Sequence, residues 1–122
     1  MDVKINFLTI NEKGNLVERK KLSKAHFCDD ISRKGVVLID FNAIGSAPCK
    51  MQLPIIKQLS KQYHDKVTVI IIDVDNSKAL ATSFRITSIP TLIVLKNGRE
   101  AKRFIGLQNI KTLADALENT MK

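Results

Sequence analysis

Two short stretches of the chain are apolar almost without interruption. VVLIDF (Val36–Phe41) follows Gly35, and KVTVIIIDVD (Lys66–Asp75) is rich in β-branched residues. Both are too short for typical helices and lack alternation, so each is predicted to be a strand buried on both faces. Other segments follow different periods. VKINFLTI (Val3–Ile10) begins by alternating, with Val3, Ile5 and Phe7 on one side, and reads as a strand. NEKGN (11–15) is a turn, and LVERKKL (Leu16–Leu22) is the return strand of an N-terminal hairpin. TLIVLKNGREAKRFIG (Thr91–Gly106) is a second hairpin about Asn97-Gly98, a pair suited to the positive φ angles of a tight turn.

Helical spacing fills the gaps. Ser23 is placed to cap a short helix ending before Gly35. After Ser46, the residues Met51, Ile55, Leu59 and Tyr63, with Leu53 and Ile56 alongside, predict an amphipathic helix kinked at Pro54. A short helix capped by Asn76 or Ser77 spans NSKALATSF. A last helix begins at the Asn109 cap and turns Ile110, Leu113, Ala114, Leu117 and Met121 inward. The predicted order is hairpin-α-β-α-β-α-β-β-α. Two buried strands joined through a helix imply a parallel, right-handed β-α-β unit. The expected architecture is therefore α/β, a mixed central sheet with helices on both faces, formed as one domain over residues 1–122 with residues 1–15 as an N-terminal extension.

Composition narrows the range of activities. The 122 residues are 44% hydrophobic and 26% charged, enough for a core without metals or disulfides. No apolar run approaches the roughly 20 residues of a membrane helix, and the N-terminus lacks a secretory pattern, so a cytoplasmic, membrane-free protein is expected. The net charge is +8, with a pI near 9.7. The basic residues are scattered, however, and the densest run, Arg19-Lys20-Lys21 with Lys24, has no interleaved aromatics. The expectation is a solvated lysine-rich surface and no nucleic-acid partner. Two cysteines and two histidines make neither a disulfide framework nor a zinc site. Cys28 is expected as a small core residue, and His26 and His64 as surface or half-buried side chains. No metal and no cofactor are implied.

The candidate chemistry lies in DFNAIGSAPCKMQLP (Asp40–Pro54), where a strand turns sharply into a helix. VVLIDF ending on Asp40, SAPCK (Ser46–Lys50) opening a helix that contains Pro54, SIPT (Ser88–Thr91), and KNG followed by Gly106 occur in this order. At that spacing they resemble the thioredoxin family. The resemblance covers about Leu16 to Lys122 and implies the thioredoxin fold. Asp40 and Pro90 are 50 residues apart, as in simple thioredoxins and without room for the insertions of their periplasmic relatives. It further implies a cis bond before Pro90. The backbone of Ile89 would then lie beside Ser46, and a peptide groove would be completed by Gly45, Ala47, Pro48 and Gly106. The partners implied are proteins or peptides with disulfides and a thioredoxin-reductase-like electron donor, with the protein itself a monomer.

In that family a thiol at the first position of the turn attacks a substrate disulfide. A second thiol resolves the mixed disulfide, and a buried carboxylate takes the resolving thiol's proton. Mapped here, Ser46 holds the attacking position, Cys49 the resolving one, and Asp40 is the proton acceptor. A serine hydroxyl is far less acidic than a thiol, and Ser46 has no adjacent histidine, so the chain as it stands is expected to be inactive in disulfide exchange. Three further positions depart from the family pattern. Asn42 and Gly45 replace rim aromatics, and Ile71 replaces a lysine near the buried Asp, which should raise the Asp40 pKa. Two readings follow. One is an oxidoreductase of cell redox homeostasis in which Ser46 stands for a cysteine of the working parent. The other is a natural noncatalytic module that binds a peptide through the Pro90 groove. A single-thiol role for Cys49, such as accepting glutathione, is a weaker third.

Overall fold

Alternation along each strand decides which face of the sheet a side chain joins, and with it which helix it meets. The computed structural model describes residues 4–18 and 22–122. In chain order the elements are β1 (Lys4–Ile5), β2 (Leu8–Ile10), β3 (Leu16–Glu18), β4 (Leu22–Ser23), α1 (Lys24–Ser32), β5 (Val36–Asn42), α2 (Ala47–Gln62), β6 (Val67–Asp73), α3 (Lys78–Ser83), β7 (Thr91–Lys96), β8 (Arg99–Ile105) and α4 (Ile110–Met121). The main sheet has the order β3-β2-β6-β5-β7-β8, and β1 pairs with β4 in a separate two-stranded ladder. β5 and β6 run parallel, with α2 between them in the chain, and the remaining pairs are antiparallel.

On one face Val37, Ile39 and Phe41 of β5 pack with Ile70 and Ile72 of β6 and Ile93 of β7. Phe27 and Ile31 of α1 and Leu80 of α3 cover them. On the other face Val36 and Leu38 pack with Val69, Ile71 and Leu92, beneath Ile56 and Leu59 of α2 and Leu113 and Leu117 of α4. The period of two in the strands thus divides the core into two layers, with a helix pair over each. The continuous apolar runs are explained because β5, β6 and β7 have helices on both sides.

The caps follow the sequence. Ser23 accepts from the His26 amide at 3.2 Å and Asn109 from the Thr112 amide at 2.8 Å, each satisfying a free N–H of a helix start. Asn97 and Gly98 both have positive φ (53° and 84°), as their tight turn requires. Ser77 is the cap residue of α3, but its hydroxyl is turned away and donates to the Asn6 carbonyl at 3.4 Å.

Several expectations are corrected. VKINFLTI is not one strand: Asn6 and Phe7 break it, so that β1 pairs with β4 while β2 enters the main sheet. Val3, and the part of the return strand and basic run at 19–21, lie outside the described residues. Within the extension, β2 lies between β3 and β6 in the sheet, with Leu8 opposite both Glu18 and Ile71. Cys28 is exposed. The inward face of α1 carries Phe27 and Ile31, four apart, and Cys28 follows Phe27 one-third of a turn around the helix. His26 and His64 are, as expected, surface side chains, and His64 lies 3.0 Å from Asp65.

Candidate redox turn at the start of α2

The site is assembled where β5 ends. Asn42 gives way to Ala43–Gly45, and Gly45 takes φ of +91°, a left-handed conformation that glycine adopts without strain. That turn places Ser46 at the N-cap of α2. Its carbonyl accepts the first helical hydrogen bond, from Lys50 at 3.0 Å, while its side chain makes no capping bond. Pro48 sits in the first turn, where its missing N–H is not needed. The partly exposed Ser46 side chain therefore stands at the positive end of a 16-residue helix. A thiolate there would be stabilised; a hydroxyl gains little, because it stays protonated.

Cys49 is three residues further, nearly one turn down the helix, and only 5% exposed. It begins the buried line Cys49, Gln52, Ile56, Leu59 and Ser60. This corrects the predicted stripe at its start: Met51 points to solvent, 62% exposed, and Gln52 faces inward instead. The helix continues through Pro54, which lies on its exposed side.

Asp40 is fully buried. As an even-numbered residue of β5 it faces the side that α2 covers, in line with Val36 and Leu38. The ladder sets Ile71 on one side of it and Leu92 on the other. Neither carboxyl oxygen has a hydrogen-bond partner. Burial among apolar neighbours disfavours the charged form and pushes its pKa up to about 7. Asn42, two residues on, offsets a little of that rise without making a hydrogen bond of regular geometry. With isoleucine at 71, no cation stands beside the carboxyl on β6.

Pro90 enters through sheet register. Phe41 of β5 is opposite Thr91 of β7, so the residue before Thr91 lies at the end of β5 that feeds the Ser46 turn. The Ile89–Pro90 bond is cis, and the Pro90 carbonyl accepts from the Gly106 amide at 2.8 Å. Arg103 of β8 steadies the approach to this segment. It donates to the Phe84 carbonyl at 2.7 Å and pairs with Glu100 at 2.8 Å. The carboxyl end of β5, the start of β7 and the end of β8 thereby bring the Ser46 turn, Pro90 and Gly106 to one end of the sheet. Ile44, Met51, Ile105 and Leu107, all exposed, belong to these same segments.

One component was not legible beforehand. Gln52 is fully buried, donates to the Gln108 carbonyl at 3.0 Å and accepts from the Gln108 amide at 2.8 Å. Its amide thus pairs with that backbone as a neighbouring strand would, tying α2 to the loop after Gly106. The one sequence signal was a polar residue at an inward helical position. Replacing Gln52 with Leu strands both groups of Gln108, and the expected loss of stability is about 1–3 kcal/mol in urea denaturation. Among the described residues no group of three or more His, Cys, Asp or Glu side chains could hold a metal, and both cysteines are free. No helix of the described chain is long and apolar enough to cross a membrane.

This arrangement has close counterparts. Residues 18–119 match the family model for thioredoxin. The thioredoxin of Staphylococcus saprophyticus is 38% identical over 98 residues, covering 80% of this chain and 93% of that protein. Among solved structures, a mutant thioredoxin from Halobacterium salinarum is 32% identical with a TM-score of 0.75, covering 82% of this chain and 87% of its own. Plasmodium falciparum thioredoxin is 34% identical with a TM-score of 0.71, covering 79% and 92%. With the redox turn, the buried carboxyl and the sheet order already in place, the match over most of its length shows that the chain belongs to the thioredoxin family.

Proposed function

We propose that this single domain has the framework of a cytoplasmic protein-disulfide oxidoreductase in which Ser46 stands where the working form has a cysteine, leaving the chain inactive as it is. The observation that carries the reading is Asp40. A buried carboxyl with no hydrogen-bond partner destabilises the fold, and a peptide-binding module has no need of one. A resolving thiol does need a proton acceptor, and a carboxyl with its pKa near 7 is poised to serve at neutral pH.

The steps in the Ser46→Cys form are as follows. The new thiolate at the helix start attacks a substrate disulfide. One S–S bond forms, one breaks, and a substrate thiolate leaves. Cys49 then gives its proton to Asp40 and attacks the mixed disulfide, closing an intramolecular disulfide and releasing the second substrate sulfur as a thiolate, which takes up a proton from solvent. A dithiol or a thioredoxin-reductase-like donor supplies two electrons to reopen it. Partners are proteins with accessible disulfides, held against the rim formed by Gly45, Ala47, Pro48, Ile89 and Gly106, and the working unit is a monomer. The test is reduction of a protein disulfide by the Ser46 chain and by Ser46→Cys with a dithiol as electron source. Equal inertness of the two removes this reading.

The noncatalytic reading is favoured by the exposed Ile44 and Met51 around a turn that has no nucleophile. In this reading an extended peptide adds its backbone beside Ile89. Pull-down of such a partner is expected to drop at least about tenfold with Ile89→Pro, which removes the backbone donor, or with a bulky residue at Gly45. Indifference to both substitutions eliminates it.

A further inference from the structure

A cavity of about 380 Å³ lies between the N-terminal extension and the redox turn. Its apolar walls include Leu8 from the extension, Leu16 from β3, Leu53 from α2 and Ile71 from β6, and the Ala43–Gly45 turn and Cys49 line it as well. The volume falls within the range of roughly 300–1,000 Å³ typical of small-molecule sites. Leu16 is 39% exposed at the edge of the sheet, apolar surface available to a bound molecule. Polar groups also line it. Asn6 does, and its Oδ1 has no hydrogen-bond partner; the atom is covered, so a turn of that side chain brings it to an incoming donor. The charged lining groups are the carboxylates of Glu18 and Asp73 and the ammonium of Lys50, so acceptors and negative charge prevail. The walls contributed by residues 6–16 lie before the region matched by the family model, which begins at residue 18. The residues ahead of that region thus close one side of the cavity, and the redox turn, α2 and β6 form most of the rest.

We propose that it is a binding site for a small, mainly apolar organic molecule carrying one neutral or cationic hydrogen-bond donor, seated between Leu16 and Leu53 with the Cys49 thiol in its wall. The molecule reaches Cys49 between the extension and the Ala43–Gly45 turn, sharing Gly45 with the rim around Ser46. The apolar body removes Leu8, Leu16, Leu53 and Ile71 from water, and the donor pairs with Asn6. An anionic ligand is disfavoured by Glu18 and Asp73.

Cys49 is the reporter for the test, and exposed Cys28 the internal standard. The full chain is treated with benzyl methanethiosulfonate, which is neutral and apolar, or with the anionic 2-sulfonatoethyl reagent. In either reaction a cysteine thiolate attacks the sulfenyl sulfur, a new S–S bond forms, methanesulfinate leaves, and the thiol's proton goes to solvent. Labelling of each cysteine is followed by peptide mass spectrometry. Relative to Cys28, Cys49 is expected to favour the benzyl reagent by at least about tenfold, with a rate that saturates as reagent increases because binding precedes reaction. Leu16→Trp fills the cavity and Leu16→Lys puts a cation at its edge. Each is expected to slow benzyl labelling of Cys49 about fivefold or more without changing Cys28. For the donor, Asn6→Leu is expected to slow 2-aminoethyl methanethiosulfonate but not the benzyl reagent. Equal reagent preference at the two cysteines overturns the proposal. So does a rate at Cys49 that stays linear in reagent, or a benzyl rate unchanged in both Leu16 variants, which means entry from the Ser46 side. If Asn6→Leu slows both reagents or neither, the donor assignment fails.

Discussion

Ser46→Cys is expected to convert an inert chain into a working disulfide reductase, with a gain on the order of 10³-fold or more, the scale on which enzymes lose activity when their nucleophile is removed. The local structure needs no rearrangement for this. Position 46 is already the N-cap of a 16-residue helix, with an extended backbone (φ −71°, ψ 123°) and a side chain that makes no capping bond. A sulfur there gains what the hydroxyl cannot use: the helix N-terminus stabilises a thiolate, whose pKa should fall below the ordinary value of about 8.5. Cys49 lies nearly one turn deeper on the same helix, so the two sulfurs are placed for an intramolecular disulfide. Thiol titration before and after mild oxidation checks this. The variant is expected to lose the thiol at position 46 and that of Cys49 together while Cys28 stays free. Loss of neither would show that the turn does not bring the two positions together.

The second large effect concerns Asp40, and its sign follows from burial. The carboxyl has an ordinary pKa of 3.8 and about 7 in the folded chain. Below pH 3.8 both states hold the proton, and the stabilisation from the protonated carboxyl is fully present. Between 3.8 and 7 the folded state retains a proton that the unfolded state has released, so stability falls as pH rises, by about 1.4 kcal/mol per pH unit. Above 7 that contribution is gone, a total on the order of 4 kcal/mol. Asp40→Asn removes the titration. Relative to the parent it is therefore expected to gain stability progressively from about pH 4 to pH 7 and to hold that gain above. Urea denaturation of both proteins across this range measures the difference, and a difference independent of pH contradicts the assignment. In the Ser46→Cys background the same substitution is expected to slow resolution of the mixed disulfide roughly 10²-fold, since its proton acceptor is lost. A more stable but slower protein is the signature of a group retained for chemistry.

The parts of this account that sequence alone made legible are those governed by period and by turn chemistry. The two unbroken apolar runs are strands sandwiched between helices. Ser23 and Asn109 cap where a hydroxyl and an amide of that placement should, and Asn97-Gly98 turns as its composition requires. Asp40 is singled out by the resemblance of VVLIDF to the family strand that ends in a buried carboxylate, and it is fully buried. What could not be read depends on contacts between distant segments. Nothing in VKINFLTI signals that Asn6 and Phe7 interrupt it, because β1 and β2 are separated by their partners β4 and β6. Gln52 displaces Met51 from the interior because Gln108, 56 positions away, offers both a carbonyl and an amide to a single side chain. Cys28 sits outside because Phe27 and Ile31 claim the inward face of α1. The cavity beside Cys49 depends on the position of β2, which local pattern does not encode.

The central claim is that the chain keeps the resolving thiol and the buried carboxyl of a redox site and lacks its nucleophile. The most direct measurement is the rate at which a protein disulfide is reduced, with excess dithiol, by three chains side by side: the protein with Ser46, Ser46→Cys, and Ser46→Cys combined with Cys49→Ser. Background rate is expected for the first, turnover for the second, and for the third, mixed with the disulfide protein before any dithiol is added, a mixed disulfide that accumulates. A Ser46→Cys protein that is folded yet no faster than the Ser46 chain would contradict it.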